Sequence, residues 1–269
     1  MDKERGKGKY DGFTYYKSHI FASDDSSYNK FNSEYFVNFA KKYENVDNSQ
    51  NYVLDLQGGS GKWGCLVAKT LKAKKCVITE YSEGMAEYGR TLHSPEEAEF
   101  HHLDFNTSLI DENITNKKYC AIIIKEAIHF SDKGYSEKLM NFFRDHCTED
   151  AFILCNGVIR TRHWKVKPEE LPKTCLENLE NLTYDDIDFA DEVKLISEER
   201  KLKVDIEILA VPYHWPIEEY EYFLKKRSWS SFRTVPQDEL DACVQKQIDK
   251  KIDMVKYDVY FAYINITKK

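Results

Sequence analysis

A chain of 269 residues holds one large domain or two small ones, and its 42% hydrophobic and 32% charged residues are the balance of an ordinary soluble globular protein. The formal net charge of -7 argues against nucleic acid as the main partner, because a polyphosphate is bound by a basic face. No apolar run approaches the length of a membrane span, and "MDKERGKGKYDG" starts charged but has no apolar core after it, unlike a signal peptide.

Seven scattered cysteines form no C-x-x-C pair, and several sit in apolar strand-like runs. A reduced, cytoplasmic setting is therefore expected. Cysteine and histidine spacing supports neither a metal site nor a redox disulfide. His101 and His102 are neighbours on one strand, so their side chains leave opposite faces.

In chain order, Tyr28, Phe31, Tyr35, Phe36 and Phe39 recur at helical spacing, and "FNSEYFVNFAKKY" reads as an amphipathic helix covering a sheet. "YVLDL" is a short apolar strand, followed by a glycine turn and the helix "KWGCLVAKTLK". "KCVITE" is a second strand before the helix "SEGMAEYGRTL", and "AEFHHLDF" is a third. "YCAIIIKEAIHF" contains a fourth, "SEKLMNFFRDHC" a helix and "AFILCNGVI" a fifth strand. Apolar strands alternating with helices indicate a parallel sheet covered on both faces. Residues 160–182 are polar and irregular. A helix in "DDIDFADEVKLISEERK" and the alternating strand "KVDIEILAV" follow. Beyond "PYHWP" come helices over roughly 217–224 and 237–250, then the strand "KYDVYFAYINI".

"YVLDLQGGSGKWG" joins a strand to a helix through glycines, which lets backbone approach a ligand at a helix N-terminus. The spacing is not the G-x-x-x-x-G-K-[ST] of a phosphate-wrapping loop. Glu80 closes the next strand, where a carboxylate can accept hydrogen bonds from two ribose hydroxyls. A dehydrogenase or a methyl-transferring enzyme could use that feature.

"VLDLQGGSGKWG", "ITEYSEGM", "HHLDF" and "AIIIKEAIHF", in this order, resemble class I S-adenosylmethionine-dependent methyltransferases of the type-11-like kind. The resemblance covers roughly residues 52–157. It implies a Rossmann-like, doubly wound α/β fold with a seven-stranded sheet, an antiparallel last strand and a helical cap. On this reading one methyltransferase domain spans 1–269. Its core is 50–159 and 184–269, and its cap elements are approximately 10–45, 160–183 and 213–250.

The resemblance also implies a cofactor site. Asp55 stands at the family's acidic position, and Gly59 and Gly61 at its second and third glycines. Glu80 would hold the ribose with Tyr81 beside it, Asp104 the adenine amino group with Phe105 beside it, and Lys125 would contribute its backbone carbonyl. Gln57 replaces the family's first glycine. Because glutamine is largely confined to the ordinary backbone regions, either the turn is conventional there, the reading preferred because the last two glycines and Glu80 remain, or it binds the cofactor weakly; the amide could also meet the cofactor's carboxylate or amine.

On the acceptor side His129 is the candidate base or acceptor contact, the alternative being a packing histidine at a helix start. Glu126 could bind a cationic group or favour a helix N-terminus. Arg160 and Arg162 in "RTRHWKVK" could hold a carboxylate or form part of a solvated loop. "WPIEEYEYFLKKRSWSSFRTV" resembles, more faintly, the cap of trans-aconitate methyltransferases, with Trp215 and Trp229 as pocket walls or as cap core. The expected function is methyl transfer to a small-molecule acceptor, a carboxylate first among the candidates. The alternatives are N- or O-methylation of a small amine or hydroxyl compound, or a noncatalytic cofactor-binding protein. No nucleic-acid or membrane partner is expected.

Overall fold

The computed structural model describes residues 25–128, 131–158, 189–225 and 236–268. Helix α1 (Ser27–Lys41) precedes an alternation of β1 (Tyr52–Leu56), α2 (Lys62–Thr70), β2 (Lys75–Glu80), α3 (Glu83–Leu92) and β3 (Ala98–His102). Two single turns, α4 (Phe105–Ser108) and α5 (Glu112–Thr115), lead into β4 (Tyr119–Lys125), α6 (Tyr135–His146) and β5 (Cys147–Val158). Then come α7 (Phe189–Glu199), β6 (Leu202–Pro216), α8 (Ile217–Lys225), α9 (Gln237–Asp249) and β7 (Met254–Lys268).

The seven strands form one sheet in the order β3-β2-β1-β4-β5-β7-β6. β1 to β5 pair in parallel, and β7 runs antiparallel to β5, as expected. Strands β1, β2 and β4 are buried at every position but one each, the signature of a sheet covered on both faces. The sequence order turns back between β1 and β4, and this is the point where such sheets take ligands at their carboxyl ends.

The chain divides into two compact units. The larger comprises 33–158, 186–209 and 261–269, and its core is the central sheet. On it two aromatics of the α1 stripe pack, Phe36 against Trp63 at 5.4 Å between ring centroids and Phe39 against Phe152 at 5.0 Å, whereas Tyr28 of the same stripe belongs to the smaller unit. A fully buried ring of this kind contributes about 1.5–3 kcal/mol of transfer free energy. The smaller unit comprises 1–32, 159–185 and 210–260, and its described part centres on aromatic packing of Tyr28, Tyr213, Trp215 and Tyr220.

Two details depart from expectation. β6 continues through "PYHWP" to Pro216, beyond the strand read over "KVDIEILAV". Cys65, Cys76, Cys120, Cys147 and Cys155 are free thiols, but Cys243 is disulfide-bonded, against the reading of a wholly reduced chain. Among the described residues no helix is long and apolar enough to cross a membrane, and no cluster of metal-ligating side chains occurs.

Candidate functional site

The carboxyl ends of β1, β2, β3 and β4 converge beside the switch point, and the site is assembled from the turns that leave them. After β1 the backbone takes left-handed angles at alternate residues: φ is 55° at Gln57, 58° at Gly59 and 79° at Gly61. Only glycine adopts these angles without steric cost. The expectation of a conventional turn at Gln57 is thereby corrected, because its backbone takes the conformation that a glycine would supply. Helix α2 then begins at Lys62 with no side-chain cap at Gly61.

Side chains stitch this turn to its neighbours. The Gln57 Nε2 donates to the Leu103 carbonyl at 2.9 Å, and its Oε1 accepts from the Tyr81 N–H at 3.1 Å. Both partners are main-chain groups of fixed polarity, so the amide orientation is settled by them. The amide therefore bonds inward, to the exits of β2 and β3, and does not point to a ligand. Glu80 completes the stitching: Oε2 accepts from Gly59 N–H at 2.9 Å and Oε1 from Ser82 N–H at 2.7 Å. A carboxylate has about four acceptor positions, so two remain for further donors. Burial pushes the Glu80 carboxyl upward, opposed by these backbone donors.

Beneath the turn lies Asp55, which has no exposed surface. Its Oδ2 accepts from Gly64 N–H at 2.9 Å, while Oδ1 is buried with no hydrogen-bond partner. An orphaned acceptor of this kind costs about 1–3 kcal/mol. Its carboxyl is pushed up to about 7, chiefly by burial, against the pull of the Gly64 N–H. The carboxylate also dictates two glycines. A Cβ at Gly58 would fall 2.4 Å from the Asp55 Cγ, and one at Gly64 would fall 2.6 Å from the Asp55 Cβ. Gly58 lies between the family's glycine positions and was missed in the sequence. Only the packing of Asp55 reveals why it must be glycine.

At the exit of β2 Tyr81 is 43% exposed. Next to it His102 is held from both sides, by the Tyr81 carbonyl at 2.7 Å and by Glu83 Oε2 at 2.7 Å. Asp104 is exposed and caps α4 through Asn106 N–H at 2.9 Å. Phe105 is buried and stacks on Tyr135 with centroids 4.3 Å apart, so its ring belongs to the core under the site.

After β4 a second left-handed residue appears, Glu126 with φ 55°. Its N–H donates to both the carbonyl and the Oδ1 of Asn156, at 2.9 and 3.1 Å. Its carboxylate pairs with the Lys125 ammonium, which lies 5.1 Å from the Trp63 ring centroid. Burial pushes the Lys125 ammonium below its usual range, and Glu126 opposes that shift. Of the five non-glycine residues with left-handed backbone among the described residues, two, Gln57 and Glu126, sit at the exits of β1 and β4, on either side of the switch point. Trp63, Asn156 and Thr79, whose Oγ1 accepts from Gln57 N–H at 3.3 Å, are site neighbours that carry no sequence motif.

Trp215 is completely buried against Tyr213 and Tyr220 in the smaller unit. His129, Arg160, Arg162 and Trp229 lie outside the described residues.

No protein-family model and no curated protein sequence matches the chain. Solved structures do match in fold. The plantazolicin methyltransferase BpumL in complex with SAH superposes with a TM-score of 0.56 at 12% identity, over 99% of this chain and 93% of that one. The same enzyme with a pentazolic desmethylPZN analog and SAH gives 0.55 at 13% identity, over 99% and 94%. A candidate sarcosine dimethylglycine methyltransferase from Galdieria sulphuraria gives 0.52 at 10% identity, over 90% and 86%. The chain therefore has the class I methyltransferase fold.

Proposed function

We propose that this protein is an S-adenosylmethionine-dependent methyltransferase acting on a small molecule. The observation that carries the reading is the turn from Gln57 to Gly61, fastened to the ribose-type acid Glu80 beside the switch point of a methyltransferase fold. The residues fit the cofactor: Glu80 keeps acceptor capacity, and the left-handed backbone at Gly59 and Gly61 carries no Cβ. Gly59 and Gly61 would lie along the methionyl part, Glu80 on the ribose and Tyr81 and Asp104 at the base. When bound, the cofactor supplies a sulfonium-activated methyl group for in-line displacement.

What the chain's residues contribute is position and charge. The stitched turn presents its backbone N–H groups, and Glu80 places a carboxylate beside a cationic ligand. For the acceptor, the reading takes an anionic small molecule, supported by Arg160 and Arg162 in the sequence, with His129 positioning a carboxylate or deprotonating an amine or hydroxyl. The net charge of -7 supports a small molecule over nucleic acid. A cytoplasmic setting is supported by the five free thiols and opposed by the Cys243 disulfide.

The test is a transfer assay with methyl-labelled S-adenosylmethionine and separated small-molecule, protein and nucleic-acid fractions of a cell extract. Label is expected in the small-molecule fraction. Label in another fraction overturns the acceptor class, and binding without transfer to any fraction favours a noncatalytic protein that keeps the fold.

A further inference from the structure

The exit of β4 carries an ion pair that strand geometry alone would not produce. Neighbouring residues of an extended strand project from opposite faces, so Lys125 and Glu126 would ordinarily point apart. Instead the chain takes left-handed backbone at Glu126, with φ 55°, and the Glu126 Oε1 meets the Lys125 Nζ. That conformation is strained in a residue with a Cβ. Asn156, level with Lys125 on β5, holds it by accepting the Glu126 N–H with both its carbonyl and its Oδ1.

The pair is largely withdrawn from water: the Lys125 side chain is 8% exposed and that of Glu126 22%. An ion pair so placed adds little net stability, because loss of hydration offsets the attraction. Strain and burial together therefore call for a use other than folding. The surroundings indicate one. β4 runs beside β1, and the Lys125 Nζ lies 5.1 Å from the ring of Trp63, in the first turn of α2. The Lys62 Nζ stands 5.4 Å from the same ring, and Lys62 follows Gly61, where α2 begins without a side-chain cap. Two ammonium groups and the positive end of a helix thus gather beside the last glycine of the turn, with the Glu126 carboxylate paired to one of them.

We propose that the side chains of Lys125 and Glu126 together recognise the amino-acid end of the cofactor, Lys125 taking its carboxylate and Glu126 its ammonium. The pair would then determine specificity for ligands that carry this end, an inference that rests on the methyltransferase reading. The methionyl end bears both charges on one carbon, so an ion pair answers it charge for charge and leaves the net charge of the site unaltered. Because the pair is already withdrawn from water, little further desolvation opposes the exchange. The strain at Glu126 also finds its use, since it brings the two opposite charges to one place.

The test is calorimetric titration of the full-length protein with four ligands. These are S-adenosylhomocysteine, its deaminated and decarboxylated analogues, and methylthioadenosine, which lacks the amino-acid end. Wild type should bind S-adenosylhomocysteine at least about tenfold more tightly than either singly charged analogue, as expected for one charge-assisted hydrogen bond. Lys125→Met should weaken S-adenosylhomocysteine and the deaminated analogue about tenfold, without weakening the decarboxylated one or methylthioadenosine. Glu126→Gln should weaken S-adenosylhomocysteine and the decarboxylated analogue, and spare the deaminated one. The double variant leaves neither charge unpaired, and so serves where a single variant does not fold. In it the preference for S-adenosylhomocysteine over methylthioadenosine should fall at least about tenfold. Losses shared equally by all four ligands would give the pair a structural role and overturn the proposal, as would an undiminished preference in the folded double variant. In both cases the methyltransferase reading survives. Wild type that binds none of the four ligands overturns that reading, and this inference with it.

Discussion

Gln57 shows how a side chain can replace the freedom of a glycine. Its left-handed backbone costs roughly 1–2 kcal/mol, and two side-chain hydrogen bonds to main-chain groups return about 0.5–1.5 kcal/mol each. Gln57→Ala keeps the strain and loses both bonds, so it should lower stability by about 1–3 kcal/mol. Gln57→Gly loses the bonds and the strain together, and should stay within about 1 kcal/mol of wild type. Denaturant melts that rank alanine at or above glycine would contradict this account. Asp55 makes a second prediction at the same scale. Its carboxyl is raised in the folded protein to about 7, against about 3.9 in the unfolded chain. Between those values the folded state binds the extra proton, so this group's contribution to stability is fully present below about pH 4 and is lost as pH rises through about 7. Asp55→Asn should flatten that decline. Parallel slopes in melts from about pH 4 to about pH 8 would show that Asp55 is ionised throughout.

Among the elements, α2 and the turn before it are shaped by what lies under them. Replacing a helical glycine by alanine ordinarily gains about 1 kcal/mol. At Gly64 the sign should reverse, because the added Cβ would stand 2.6 Å from Asp55 Cβ and from Cys76 Sγ. Gly64→Ala is expected to lower stability by about 1–2 kcal/mol after the helix gain is subtracted. Gly84→Ala in α3, where nothing lies within 4 Å of the added carbon, should be neutral or stabilising. Equal effects at the two sites in denaturant melts would mean that the Asp55 pocket yields. Most elements were legible because their strands are apolar on both faces and the aromatics of α1 recur at helical spacing. α4 and α5 were not, since a single turn capped by Asp104 or Asp111 has too few residues to show a period. β6 runs on beyond the alternating stretch "KVDIEILAV" to Pro216; proline removes a ladder donor, but as the edge strand β6 has a side on which no donor is needed. Of the site, Glu80, Gly59 and Gly61 could be read from type and spacing, and Gly58 could not. The inward amide of Gln57, the orphaned oxygen of Asp55 and the strain at Glu126 could not, because each depends on partners distant in the chain.

For the whole molecule, the fold places the exits of four parallel strands around one switch point, where Gln57 and Glu80 fasten the turns to one another. Methyl transfer at this site requires that the preformed turn bind S-adenosylmethionine and its product. The direct measurement is calorimetric titration of S-adenosylhomocysteine into the wild-type protein and into Glu80→Ala, with circular dichroism to verify that the variant is folded. The account predicts saturable one-to-one binding to wild type, and a loss of at least about tenfold in Glu80→Ala, since a charge-assisted hydrogen bond contributes about 1.5–3 kcal/mol. Absence of binding to wild type, or equal affinity in a folded Glu80→Ala protein, would contradict it.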